Sequence, residues 1–204
     1  MLQGKYTLRR RSRPSSTCFK RVHITPEDAD SIALQTTGRK IDSKTSRRSS
    51  TFNAGVGGDK IENVLYRLKE GLLSSLASLP VKLWVVHVGT NNLRPKGPLR
   101  PNDIENYRLL LRALRSISAP DTQALVVGIF RRKDREDSCV RDSNVAVKAL
   151  VEEMSQVNGS GRMHFVEEPD ELTAESLVDH VHLDEEGYRI WDRVLSEKIE
   201  QIVG

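Results

Sequence analysis

The chain has 204 residues and only 37% apolar content, below the roughly 45–50% usual for globular domains, which points to one folded domain with a polar extension. Its formal charge of +4 is uneven: residues 1–50 carry 12 Lys/Arg against 4 Asp/Glu, and the rest carry 20 against 24. The basic balance belongs to the head of the chain, so it gives no argument for nucleic-acid binding by the domain. No run approaches 18 apolar residues and no apolar stretch follows the start, so neither a membrane span nor a secretory signal is expected. Cys18 and Cys139 alone cannot build a disulfide framework or a cysteine metal site, and a reducing compartment is the simpler expectation.

Taken in chain order, residues 1–20 read as a basic, disordered tail. Because they are rich in Arg and Ser and lack acids, a mitochondrial address stands as the alternative to a cytoplasmic protein. The domain is expected over 21–204. Residues 21–25 suggest a short strand, and 38–50 an exposed basic loop. Thr51 to Ala54 reads as a strand ending in the glycine block Gly55-Val56-Gly57-Gly58-Asp59. Residues 60–78 place Ile61, Val64, Leu65, Leu68, Leu72 and Leu76 at helical spacing. Lys82 to Val88 is nearly continuous in apolar residues, as in a strand buried on both faces. A helix over 103–117 turns Leu110, Leu111 and Leu114 to one side. Ala124 to Phe130 is another buried strand, 141–157 a helix and Arg162 to Val166 a last strand. A final helix over 185–202 turns Tyr188, Trp191, Leu195 and Ile199 inward.

Five strands alternating with helices imply an α/β fold: a parallel sheet of about five strands with helices on both faces and right-handed crossovers. Ligands of such sheets sit beyond the carboxyl ends of the strands. The glycine block, Gly89-Thr90-Asn91-Asn92 and the loop 131–135 all fall there, so the fold gathers them on one rim.

Each motif has more than one reading. The glycine block opens a helix, as a phosphate cradle does, but its spacing is neither G-x-G-x-x-G nor a P-loop. It can equally be a tight turn, or a place where backbone N–H groups approach a reacting oxygen. Asn91 can fix its turn or offer an amide to that oxygen. His87, inside a strand, reads as a packed residue. Asp179-His180-Val181-His182 has a spacing that lets a carboxylate reach an imidazole and set its tautomer. It can also be a solvent loop whose Asp184 caps the next helix; a His-x-His metal pair lacks a third ligand nearby, and no metal is expected. No G-x-S-x-G elbow is present. Ser31 follows the first short strand and precedes a turn of helix, as a nucleophile on the rim would, or as an ordinary helix-start serine would. Arg94, Lys96, Arg100, Arg131, Arg132 and Lys133 crowd two rim loops, either as solvated charges or as an attraction for an anionic leaving group.

Taken together, NAGVGGDKIENVLYRLKEG, WVVHVGTNN and DHVHLDEEGY resemble blocks of the SGNH (GDSL-type) hydrolases, and within them the catalytic subunits of platelet-activating-factor acetylhydrolase type Ib. The resemblance covers roughly residues 50–200. It implies a flavodoxin-like three-layer sandwich and a serine ester hydrolase that needs no cofactor and cleaves an acyl or acetyl ester through an acyl-enzyme. Carried over by motif, Ser31 is the nucleophile, His182 the base and Asp179 its orienting acid. Gly58 and Asn91, with the serine N–H, form the oxyanion hole. The first block departs from the family pattern: Ala29-Asp30-Ser31 stands where Gly-Asp-Ser is usual, so an inactive relative serving as a binding module is the alternative. The expected partner is a small-molecule ester, with or without an anionic head group. The reading expects no nucleic acid and leaves a homodimer open.

Overall fold

The computed structural model describes residues 51–157 and 161–204. The expected basic tail, the strand at 21–25, Ser31, the loop at 38–50 and Cys18 lie outside the described residues. Within them, the chain runs α1 (Ile61–Arg67), a π-helical turn (Leu68–Leu72), α2 (Leu73–Leu76), β1 (Leu83–Val86), α3 (Pro101–Ser116), β2 (Gln123–Val127), α4 (Asp137–Val157), β3 (Met163–Val166) and α5 (Glu185–Val203). The helical stretch expected over 60–78 is present but interrupted. Gly71 has φ 124°, outside helical space, and the backbone widens into a π turn around it.

The three strands form a parallel sheet in the order β1-β2-β3. Val86 stands beside Val126, and Val126 beside Phe165. Successive residues of β2 face opposite sides, as the strand period requires. Val126 joins the larger core with Ile61, Tyr107, Leu110, Leu111, Val147 and Leu150. Val127 joins a second core with Phe130, Leu172, Leu177 and Leu183, against which Ile190 and Trp191 of α5 pack. The sheet is thus the middle of three layers, with α1, α3 and α4 on one face and α5 on the other. No helix among the described residues is long and apolar enough to cross a membrane.

Four expectations change. The described sheet has three strands rather than about five. Thr51–Ala54 is not a strand: Asn53 Oδ1 accepts from Gly55 N–H at 2.9 Å and Arg67 Nη1 donates to Ala54 O at 2.9 Å, so side chains satisfy this backbone in place of a ladder. β1 is an edge strand among the described residues and is not buried on both faces, since Val85 is 44% exposed. Tyr188 points outward at 51% exposure; Gly187 is the buried residue of the first turn of α5.

Candidate active site

The rim is built from what ends each strand. After β1 the chain turns at Gly89, φ 113°, where a side chain would meet Ile129 Cδ1 at 3.1 Å. The left-handed backbone angle requires glycine, and a side chain would also press on Ile129. The turn then tightens into a 3₁₀ turn over Thr90–Asn92, with Asn92 N–H donating to Gly89 O at 2.9 Å. The two asparagines diverge. Asn92 is 5% exposed, and both ends of its amide are used. Its Oδ1 accepts from Ile61 N–H at 3.0 Å, and its Nδ2 donates to Glu62 Oε2 at 2.8 Å and Asp103 Oδ1 at 3.1 Å. Asp103 in turn holds Arg100 through its N–H and its guanidinium. Burial acts to raise the Asp103 pKa, but the bonds from Arg100 and Asn92 outweigh it and hold the pKa below its ordinary value. Asn91 is exposed and points the other way, donating from Nδ2 to Asp59 O at 2.9 Å. An amide nitrogen carries two hydrogens, so one remains to be offered.

Asp59 belongs to the glycine block. Its N–H closes a turn on Val56 O, and its carboxylate takes Arg67 at 2.6 and 3.0 Å. Gly58 just before it has φ 85°, a left-handed angle, and a side chain there would meet nothing within 4 Å. The glycine is needed for conformation, not for room. Its N–H has no partner among the described residues, and the next residue, Asp59, is the anchor of Asn91.

Asp179 and His182 stand on a short loop whose two ends are pinned in the core. Leu177 and Leu183, buried at 4% and 6%, bridge each other as an antiparallel pair. Val178 N–H donates to His182 O at 2.9 Å and Asp184 N–H to Ser176 O at 2.8 Å. Between them, Asp179 Oδ1 accepts from Val181 N–H at 2.7 Å and His182 N–H at 2.8 Å, and Asp179 Oδ2 lies 2.7 Å from His182 Nδ1. These bonds, the His182 backbone N–H first among them, hold the Asp179 pKa far below the usual carboxylate range. A carboxylate on Nδ1 fixes the proton there and leaves Nε2 as the basic nitrogen. Nε2 has no partner among the described residues, and the His182 side chain is 66% exposed. Asp184 does cap α5, its Oδ1 accepting from Gly187 N–H at 2.7 Å. The two readings of this segment were compatible, because different carboxylates serve the histidine and the helix.

A chain of hydrogen bonds joins all these pieces. Arg132, buried in the loop after β2, donates from Nη1 to Thr90 Oγ1 at 3.1 Å and Thr90 O at 3.4 Å. The next residue, Lys133, donates its N–H to His180 O at 3.0 Å and its Nζ to Leu177 O at 2.7 Å. Arg132 and Lys133 thus link the turn bearing Asn91 to the loop bearing Asp179 and His182, and Asn91 is tied to Asp59 beside Gly58. Ser31, the remaining member of the expected set, lies outside the described residues. His87 sits beside aromatic rings, 5.0 Å from Phe130 and 6.4 Å from Trp191, not at the dyad. No group of three metal-binding side chains occurs among the described residues. The sequence reading missed the ties made by Arg132 and Lys133. The only signal was a cluster of cations after a strand, which says nothing about acceptors more than forty residues away.

Comparison with known proteins gives the family and the fold. The alpha2 subunit of platelet-activating factor acetylhydrolase IB from Rattus norvegicus is 27% identical over 161 residues, covering 74% of this chain and 65% of that protein. The alpha1 subunit from the same organism is 29% identical over 144 residues, covering 67% and 58%. The chain thus spans less than two thirds of the length of these relatives. Among solved structures, an acetyl esterase mutant with an acetate ion superposes with a TM-score of 0.55 at 16% identity over 72% of this chain and 69% of that one. A protein from Bacteroides fragilis gives 0.51 at 15% identity over 74% of each. At such identities these structures support the three-layer α/β fold alone. The model of the GDSL-like lipase/acylhydrolase family matches residues 30–190, and the chain belongs to that family.

Proposed function

We propose that this protein is a serine ester hydrolase that cleaves an acyl or acetyl ester through an acyl-enzyme. The observation that carries the reading is the Asp179–His182 pair, with 2.7 Å between Oδ2 and Nδ1 and with Nε2 open to the rim. The family match begins at residue 30, beside Ser31, which supports Ser31 over later serines as the nucleophile. In this mechanism His182 Nε2 accepts the proton of Ser31 Oγ as it attacks the ester carbonyl, then delivers it to the departing alcohol. Water, deprotonated by the same nitrogen, releases the acid. Asp179 keeps the imidazole in the required tautomer and stabilises the imidazolium. Gly58 N–H and the second hydrogen of Asn91 Nδ2 face the developing oxyanion, where one such donor is typically worth about 2.7–4 kcal/mol in the transition state.

The names of the relatives favour a short acyl group such as acetyl on a small-molecule ester. The test is labelling of the full chain with a fluorophosphonate, followed by peptide mapping. Modification of Ser31, abolished by Ser31→Ala and by His182→Ala, is the expected result. A chain that hydrolyses no ester and takes no label would instead be a family member that only binds, as the Ala29-Asp30-Ser31 sequence would then explain.

A further inference from the structure

The cations of the loop after β2 stood in the sequence as solvated charges or as bait for an anionic leaving group. In the structure they are occupied. Arg131 donates from its N–H and Nε to Glu168 Oε1 at 3.1 and 3.2 Å. Arg132 is buried, pairs with Asp134 through Nε at 2.8 Å and Nη2 at 2.9 Å, and reaches Thr90 with Nη1. Arg135 also holds Asp134. Lys133 spends its Nζ on Leu177 O, and its N–H on His180 O. One five-residue loop therefore grips three others: the turn bearing Asn91, the segment after β3 and the loop bearing Asp179 and His182.

We infer that Arg132 and Lys133 are positioning residues that set the distance between the oxyanion donor Asn91 and the base His182. This rests on the ester-hydrolase reading for its consequence in rate, but not for its geometry. The acid/base loop is also held by its own turn, by the Leu177–Leu183 bridge and by the packing of those leucines with Val127 and Phe130; Lys133 adds a direct polar tie from the same loop that holds Thr90. Arg132 sets one side of that relation through Thr90, next to Asn91. Lys133 sets the other through Leu177 O, two residues before Asp179. Arg132 acts through the hydroxyl and carbonyl of Thr90 and Lys133 through the carbonyl of Leu177, so neither needs to touch substrate.

Lys133→Met tests this cleanly in the full chain. It keeps the N–H bond to His180 O and the aliphatic stem and removes only the Nζ anchor. Loss of fixed geometry at a reacting centre costs rate and not binding. We expect kcat to fall about tenfold with KM unchanged, equally for neutral and anionic esters and at all salt concentrations. Lys133→Arg, which keeps a donor of similar reach, should restore most of the rate. Lys96→Met, in an exposed residue with no partner among the described residues, should match the parent. A loss confined to anionic esters and erased by salt would overturn the inference and make Lys133 a substrate-steering charge. A lower melting temperature with unchanged kcat would overturn it too. NMR of the His182 ring nitrogens separates this question from hydrolysis. If the protein cleaves no ester, Lys133→Met should still shift or broaden those signals, and signals identical to the parent's would sink the brace.

Discussion

The two halves of the rim are held in opposite ways. Around Asn91 the chain is anchored by a buried polar network: Asn92 at 5% exposure, Asp103 at 1%, the first N–H of α1 and Arg100 above them. Around His182 the side chains stand in water, at 66% exposure for the histidine and 44% for Asp179; the pair is shaped by short local bonds, and its loop is tied at its base by the Leu177–Leu183 bridge and by Lys133. The first arrangement makes polar satisfaction part of the core, where a lost partner is costly. The second leaves Nε2 accessible to an incoming group while Asp179 restrains the ring through Nδ1. Oxyanion donors must be fixed in advance, because their value lies in needing no reorganisation. A base that takes up a proton and gives it back needs access on one nitrogen and restraint on the other.

The sharpest contrast lies in the base. His182→Ala should lower kcat by several orders of magnitude with the melting temperature little changed, since the side chain is exposed and its loop is closed by backbone bonds. His180→Ala should stay near the parent, because His180 is tied through its carbonyl, which the substitution keeps. A dead His180 variant beside an active His182 variant would reverse the assignment. The pH profile sharpens the same point. Asp179 is held far below the usual carboxylate range by the bonds it accepts from His182 and Val181, so it stays ionised throughout the range in which the protein is assayed. Because the folded pKa of Asp179 is depressed, its contribution to stability is present above its unfolded value near 3.9 and is lost only as pH falls through the lower folded value. Circular dichroism over a pH series should therefore show no loss of this contribution above the ordinary carboxylate range.

Next in size, the two asparagines should separate catalysis from stability. Asn91→Ala should lower kcat by roughly 10²–10³ with KM and melting temperature nearly unchanged. Asn92→Ala should do the reverse. It strands the Ile61 N–H and removes a donor from Asp103, both buried, a loss of about 1–3 kcal/mol for such a group. Urea unfolding would read this as a lower midpoint with unchanged slope. If Asn92→Ala instead cost rate without stability, the two side chains would have exchanged roles.

Periodic and apolar segments were legible in the sequence. Leu110, Leu111 and Leu114 on α3 and the run through Val126 and Val127 are buried where their spacing implies, because burial of apolar stripes dominates both pattern and packing. The dyad was legible because Asp179 and His182 are three residues apart and interact within one turn. What the sequence concealed is long-range polar pairing. Nothing near Lys133 announces Leu177 O as its acceptor, and nothing in TFNA shows that Arg67 and Asn53 would take backbone bonds that a ladder would otherwise make. Such bonds have no period. Tyr188 was misplaced for a related reason: its spacing fits the apolar stripe, but Gly187 beside the Asp184 cap takes the buried position.

The smallest effect tests whether the exposed half of the rim depends on the helix that follows it. Asp184 Oδ1 accepts from Gly187 N–H at the start of α5, two residues after His182. Removing an N-cap acceptor costs about 1 kcal/mol, and the first turn of α5 also carries Glu185 and Glu186, which favour the positive end of the helix dipole and persist in the variant. Asp184→Ala should therefore lower the melting temperature by a few degrees, since ~1 kcal/mol shifts a domain of this size by about 2–4 °C. It should leave kcat nearly unchanged, because the substitution keeps the main-chain bond from Asp184 N–H to Ser176 O and the Leu177–Leu183 bridge that close the loop. Asp184→Asn, which keeps an acceptor oxygen, should recover most of the stability. If Asp184→Ala lowered kcat as steeply as Asn91→Ala, the dyad loop would owe its geometry to the cap of α5, not to its own turn and the brace from the loop after β2.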